Sequence, residues 1–287
     1  MWFFVSVMAV IAAGCLGNLA PPLGLRIEHL GVGAASGELL GVDTPSPRLS
    51  WLLPTATKGQ TQAAFQARVT RVDHPAAAAP VVVWDSGTVA SVITVVTVAG
   101  PLVTDTQYET VVRWANPSNG SDPAAAADPA WSAWSTPFRF STGPFAEADW
   151  AGTVWLDGST GGMAVSQLRA SFGLSKPVAA ARLHVAGTGW HRCWINDAPV
   201  SDLQLGHHTT SEARILYDSF DVAALLAPTG GGGRGDKNVI GCQLAAGWYG
   251  AKQGGGHTGA RSIRLLLSVV HTDGTRSLGG TTEVKRL

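Results

Sequence analysis

Six residues in the second half of the chain have side chains suited to holding a sugar. Tryptophan and tyrosine rings offer a flat apolar surface, whereas amide and carboxylate groups bind hydroxyls through hydrogen bonds. The stretch from Ala181 to Tyr249 concentrates both kinds of side chain. We therefore expect a carbohydrate-binding site here, and its candidate residues are Trp190, Trp194, Asn196, Asp197, Trp248 and Tyr249.

Two of these candidates, Trp248 and Tyr249, permit a second interpretation. They are flanked by glycines in the sequence AAGWYGAKQ. Such a pair can stack on the apolar face of a sugar ring, and it can equally close one end of a hydrophobic core. The sequence favours neither interpretation.

Asn196 and Asp197 also have a purely structural interpretation. They separate two runs in which apolar and polar residues alternate, as they do in strands. Asparagine and aspartate tolerate the left-handed backbone that a two-residue hairpin turn requires. The pair is therefore predicted to join two antiparallel strands, whether or not its side chains also bind a ligand.

Short alternating runs position these residues and extend over the whole chain. Turn signals separate the runs at intervals of roughly 8–12 residues, which is typical of an all-β sandwich. No helical segment of convincing length interrupts them. We predict an all-β fold with two consecutive antiparallel β-sandwich domains. The runs of the first half are 63–72, 81–86, 93–99, 108–115 and 138–143.

The chain divides into three predicted parts. Residues 1–20 have no charged side chain and are apolar from Met1 to Ala13 except for Ser6. This stretch is shorter than the roughly 20 apolar residues of a membrane span, so it predicts a signal peptide and a secreted protein with no membrane association in the mature form. A lipid anchor through Cys15 is the alternative. The sandwich domains are predicted at 21–145 and 146–287.

Composition and motifs exclude several function classes. The formal net charge is zero and only 14% of residues are charged, so a nucleic-acid partner is not expected. The sequence lacks the Gly-x-Ser-x-Gly motif of serine hydrolases and the Gly-x4-Gly-Lys-Ser/Thr phosphate loop.

Two cysteines, Cys193 and Cys242, remain once a signal peptide has been removed. In an oxidising compartment they can form a disulfide, provided that the strands bring their Cα atoms within about 7 Å. The alternative, which the sequence slightly favours, is two buried free thiols.

Blocks of sequence in both halves resemble the N-terminal part of bacterial-type α-L-rhamnosidases, the inverting glycoside hydrolases that release terminal L-rhamnose. The order and spacing of these blocks over residues 25–276 make the resemblance specific. In the first half they read GVDTPSPRLSW (41–51), GQTQAAFQARV (59–69), VWDSGTVAS (83–91) and SAWSTPFRFSTG (132–143). The family's linker between the two domains is resembled by ADWAGTVWLDG (148–158). The blocks of the second half read KPVAAARLHVAGTGWHRCWIND, RILYDSFDVAALL, NVIGCQLAAGWYG and RLLLSVVHTDGTR.

The resemblance implies a fold and a role for each half. It implies a fibronectin-III-like sandwich first, and then a jelly-roll or galactose-binding-like sandwich that binds L-rhamnose-containing glycans. In the family, the catalytic carboxylates belong to a later (α/α)6 barrel, so we expect no catalytic residue in this chain. Relatives of the second domain bind L-rhamnose through calcium, which implies a calcium site formed by Asn196, Asp197 and Asp202.

Three hypotheses remain open at this point. The chain comprises the non-catalytic N-terminal modules of a secreted α-L-rhamnosidase, it is a stand-alone rhamnose-binding lectin, or it is a structural pair of domains whose sugar site has decayed. Direct glycan binding separates the last hypothesis from the second, and the genomic sequence downstream of residue 287 separates the first from both.

Overall fold

The computed structural model describes most of the chain. The described residues are 19–32, 37–54, 61–72, 80–116, 131–158, 165–202, 205–207, 209, 213–227, 237–250, 261–280 and 285–286, with the backbone alone for Trp248, Lys285 and Arg286. The predicted signal peptide, including Cys15, lies almost wholly outside this set. No helix in the described part is long and apolar enough to cross a membrane.

Nine strands build the first half of the molecule. One sheet has the order β1-β3-β7, and the other has the order β2-β9-β8-β4-β5 with β6 beside β4. Between them lies a core that contains Trp51, Phe65, Tyr108 and Phe140. The strands are β1 (Leu23–Ile27), β2 (Leu39–Val42), β3 (Arg48–Leu52), β4 (Ala64–Arg71), β5 (Val81–Asp85), β6 (Val89–Ala90), β7 (Val95–Thr97), β8 (Gln107–Ala115) and β9 (Phe138–Thr142).

Ten further strands build the second half. One sheet has the order β10-β17-β12-β15 with β18 beside β17, and the other has the order β14-β13-β16-β11-β19. The strands are β10 (Leu156–Asp157), β11 (Val165–Gly173), β12 (Val178–Gly187), β13 (Trp190–Ile195), β14 (Ala198–Pro199), β15 (Tyr217–Asp221), β16 (Lys237–Ala245), β17 (Ser262–His271), β18 (Arg276–Gly280) and β19 (Lys285–Arg286).

The second core has the composition that period-two alternation predicts. The buried side chains come from every second residue of facing strands and include Leu168, Leu183, Ile195, Leu244 and Leu267. Within the described residues, helical structure is limited to short 3-10 segments, at Glu147–Trp150, Ala223–Leu225 and Gly247–Gly250. The expected all-β class is confirmed. The domain boundary at residues 145 and 146 stays a prediction.

The two sandwiches are in contact through one sheet of the second. The outer face of the sheet that contains β12, β15 and β17 lies against the first sandwich. Arg182 of β12 pairs with Glu38 at 3.3 Å, and both side chains are at least 90% buried. The hydroxyl of Tyr217 donates a hydrogen bond to the Pro144 carbonyl at 3.0 Å. We call this contact region the junction.

Glycines let the two sandwiches approach closely at the junction. A Cβ atom at Gly41 would overlap the side chain of Ser219, and one at Gly143 would overlap the ring of Tyr217. Gly41 also has a positive φ of 73°, which favours glycine in any case. These positions fix how the second sandwich sits on the first.

A disulfide joins Cys193 of β13 to Cys242 of β16, with a Cα–Cα distance of 4.2 Å. The two residues are directly opposite each other in the ladder, and both point into the core. The structure thus resolves the alternative that the sequence leaves open, and it does so in favour of the bonded pair.

Candidate carbohydrate-binding face

The open face of the second sandwich is the outer side of the sheet β14-β13-β16-β11-β19. In β13, Cys193 and Ile195 are buried, whereas Trp190, Arg192 and Trp194 alternate with them and point outward. The same alternation in β11 and β16 directs Gln167, Arg169, Gly241 and Gln243 to this side.

Strand register aligns these outward residues in rows. Trp194 pairs with Gly241, and Gly241 pairs in turn with Arg169 of β11. A second row lies next to the first, two residues further along each strand. It consists of Arg192, Gln243 and Gln167. Adjacent strands are about 4.8 Å apart, so about 10 Å separates the backbones of Trp194 and Arg169.

A shallow depression of about 260 Å³ lies between Trp194 and Arg169. Gly241 has no side chain and forms its floor, while the indole of Trp194 forms one wall. The guanidinium of Arg192 lies 5.2 Å from the centre of that indole, and a cation over an aromatic face favours one orientation of the ring. The other polar residues around the depression are Gln167, Asp197 and Gln243.

The depression has the elements that a sugar site requires. A flat aromatic wall can stack on the apolar face of a pyranose, and the amides and the carboxylate can bond its hydroxyls. Trp190 is the same type of residue on the same side of the sheet. Its side chain is 37% exposed and lies directly over Gly247, whose positive φ of 53° is again a conformation that glycine adopts readily.

The structure brings three of the six predicted sugar-binding residues to this face, namely Trp190, Trp194 and Asp197. Tyr249 lies in the 3-10 segment Gly247–Gly250, where its backbone N–H donates to the Ala246 carbonyl at 3.0 Å. The Trp248 side chain lies outside the described part. The assignment of a sugar-binding role to any of these residues stays a prediction.

The Asn196–Asp197 turn is confirmed in its structural role. Both residues have positive φ angles, 48° and 70°, between β13 and β14. The Asn196 amide donates to the Leu225 carbonyl at 2.9 Å and to Asn238 Oδ1 at 2.7 Å. Its oxygen accepts the Val239 backbone N–H at 2.9 Å. The side chain therefore ties the turn to the sandwich beside it.

These contacts do not fit the expected calcium site. A calcium ion needs six to eight oxygen ligands that converge on one point. The oxygen of Asn196 already accepts a backbone hydrogen bond, whereas Asp197 lies at the depression on the outer face. Within the described residues no group of three or more acidic, histidine or cysteine side chains could hold a metal ion.

Sequence reasoning missed Gln167, Arg169, Gly241 and Gln243. The period-two alternation within β11 and β16 already indicates which residues share a side of each strand. Their positions beside Trp194 depend on the pairing of β11 with β16. Because these strands are about 70 residues apart in the sequence, no local pattern predicts that pairing.

A second constellation, at the junction, has the residue types of a catalytic triad. His184 Nδ1 lies 2.7 Å from Ser219 Oγ, and His184 Nε2 lies 3.6 Å from Asp105 Oδ1. His184 is fully buried, and the backbone of Gly41 covers Ser219. The three residues therefore lie in the contact between the sandwiches, where they help to hold the two together.

Two β-sandwiches in series, the second with an open aromatic face, define the class of this protein. Residues 24–146 match the family model described as "Rha78A-like, N-terminal immunoglobulin domain", and residues 176–282 match that of the "Alpha-L-rhamnosidase N-terminal domain". The first description agrees with the expected sandwich, since immunoglobulin and fibronectin type III domains share this architecture. The chain therefore carries the N-terminal immunoglobulin-like and rhamnosidase N-terminal domains of the α-L-rhamnosidase family.

Individual relatives agree with the family models. The chain is 23% identical to an α-L-rhamnosidase of Formosa agariphila over 96% of its own length and 31% of the relative. It is 35% identical over 123 residues to an α-L-rhamnosidase of Streptomyces avermitilis, which is 41% of this chain and 10% of the relative. The chain thus spans about a third or less of the length of these relatives.

A solved structure shares the fold. It is that of an α-L-rhamnosidase from Dictyoglumus thermophilum, with a TM-score of 0.71 and 24% identity over 94% of this chain and 30% of that chain. This match supports the arrangement of the two sandwiches.

Proposed function

We propose that this chain is a carbohydrate-binding, non-catalytic N-terminal part of a secreted α-L-rhamnosidase. Its second sandwich binds glycans that contain L-rhamnose. In this proposal, hydrolysis belongs to the part of the relatives that the chain does not match. The relatives carry the name of the enzyme, and the open face supplies a surface suited to its sugar.

One observation carries the binding proposal: Trp194 stands beside the bare backbone of Gly241. Without a side chain at position 241, a sugar ring can lie on the sheet in contact with the indole. Gln243 and Asp197 are then close enough to the ring to bond its hydroxyls.

The disulfide supports the secreted location. Disulfides persist in oxidising compartments and are rare in the cytosol. The bond between Cys193 and Cys242 is thus consistent with the apolar, uncharged N-terminal segment, which we propose acts as a signal peptide.

Calorimetric titration of the purified chain with L-rhamnose and with a rhamnose-terminated oligosaccharide tests the binding proposal. We expect Trp194→Ala to weaken binding at least about ten-fold, because a tryptophan at the centre of a binding surface commonly contributes about 2 kcal/mol or more. Titration in calcium and in chelator should give the same affinity, since the side chain of Asn196 is held by protein hydrogen bonds.

Trp155→Ala is the matched control. Trp155 is 41% exposed and precedes β10, a strand of the other sheet, so its removal should leave the affinity unchanged. If the folded chain produces no binding heat with either sugar, the binding proposal is wrong and the chain is a structural pair of domains. Equal losses in both variants would place the sugar elsewhere.

A further inference from the structure

The open face carries more positive charge than the rest of the chain. Arg169, Arg192 and Lys237 point to this side, whereas Asp197 is the carboxylate that lines its depression. The formal net charge of the whole chain is zero, so this bias is local.

Several basic residues elsewhere form ion pairs within the protein. Arg48 pairs with Glu28 at 2.6 Å, and Arg139 pairs with Glu109 at 2.7 Å, although all of these are surface positions. In the part of the chain that the structure describes, neither Arg169 nor Lys237 has a carboxylate within ion-pair distance. Asp197 shares the depression with Arg169 and still does not pair with it.

We propose that the open face selects glycans that carry an anionic group, either the carboxylate of a hexuronic acid or a sulfate ester. This inference rests on the proposed sugar site and names its ligand class. The sugar ring lies over Gly241 against Trp194, and the anionic group of the same or the next residue meets Arg169. A guanidinium bonds a carboxylate or a sulfate through two parallel N–H groups, which gives direction as well as charge.

The spacing of the row supports this placement. Trp194 and Arg169 are two strands apart, with only the backbone of Gly241 between them. About 10 Å of open sheet therefore separates the stacking surface from the cation. A saccharide unit with a charged substituent fits such an interval.

Two matched pairs of oligosaccharides test the inference. One pair is a chain of alternating L-rhamnose and hexuronic acid together with its carboxyl-reduced form. The other is a sulfated L-rhamnose oligosaccharide together with its desulfated form. We expect at least one anionic member to bind about five-fold more tightly than its neutral partner. The difference should vanish in 1 M NaCl, where the screening length falls to about 3 Å.

The variant Arg169→Gln should abolish that preference, so that the anionic and neutral members of a pair bind it with equal affinity. Arg26→Gln is the matched control, because it removes the same charge from an exposed strand position of the first sandwich. The pair that shows the preference identifies the anionic group as carboxylate or sulfate.

The outcomes separate this inference from the proposed function. Equal binding of neutral and anionic forms, or a preference that survives Arg169→Gln, overturns the inference and leaves the sugar site intact. A folded chain that binds none of the four oligosaccharides overturns both.

Discussion

The two outer faces of the second sandwich differ in how their arginines are paired. On the junction side, Arg182 and Arg276 meet the carboxylates of Glu38 and Asp105 from the first sandwich. On the open side, Arg169 has no such partner among the described residues. Within the described residues, the protein thus pairs these charges where it buries surface, and Arg169 lies where the surface is exposed.

Burial explains the difference between the faces. A charge removed from water is costly unless a partner and hydrogen bonds compensate for it. Asp105 has such compensation: Ser268 donates its hydroxyl to the carboxylate, and Arg276 donates to the Asp105 carbonyl at 2.7 Å. Arg169 on the open face is exposed, so its charge costs little there without a partner among the described residues.

The largest expected effect comes from breaking the junction. Asp105→Ala leaves His184, Ser268 and Arg276 without their carboxylate, and we expect the free energy of unfolding to fall by about 3–5 kcal/mol. Denaturant titration of the purified chain measures this change.

The matched control for that variant is Asp43→Ala. Asp43 lies 3.9 Å from Arg214 in a pair whose side chains are more than half exposed, and its loss should change stability by less than about 1 kcal/mol. A similar change for both variants would mean that the junction contributes nothing to stability.

The second expected effect concerns the disulfide within the sheet that carries the open face. Replacing Cys193 and Cys242 together by alanine should lower the free energy of unfolding by about 2–4 kcal/mol, because the disulfide restricts a loop of 49 residues in the unfolded chain. Denaturant titration with and without reductant measures it. Reductant should destabilise the natural chain and leave the double variant unaffected, and any other pattern argues against the bond.

The smallest effect is the pH dependence of stability that Asp105 contributes at the junction. Burial would raise the pKa of Asp105, but the contacts with His184 and Ser268 and the nearby Arg182 outweigh burial and hold it below its ordinary value. The stability that this carboxylate contributes is therefore complete above its unfolded pKa of about 3.9. It is lost as the pH falls through the lower folded value.

Comparison with Asp105→Asn isolates this contribution. Below about pH 4 the natural chain should lose stability more steeply than the variant, while other carboxylates affect both chains equally. Parallel curves would show that Asp105 is not held in its charged form by the junction.

Local patterns in the sequence predict the strands and the Asn196–Asp197 turn. Period-two alternation and left-handed turn residues act over a few neighbours, so they are visible without a structure. The pairing of β11 with β16 and that of Cys193 with Cys242 depend on the register between distant strands. That register follows from packing of the whole sandwich, and no local pattern contains it.

The junction is hidden from sequence reasoning for a related reason. In β12, Arg182 and His184 alternate with core residues, and such a pattern predicts a face exposed to water. The structure covers this face with the first sandwich. A sequence indicates that a face is polar, but only the assembled domains show whether water or protein contacts it.

The close approach at Gly41 and Gly143 has a consequence for how the chain loses its structure. The side chains of Ser219 and Tyr217 pack directly against these glycines. Nearby, Arg182 and His184 contact carboxylates of the other sandwich. If the first sandwich melted alone, the second would be left with exposed aromatic surface and unmatched charges. The two sandwiches are therefore expected to unfold together, as one cooperative unit with a single transition.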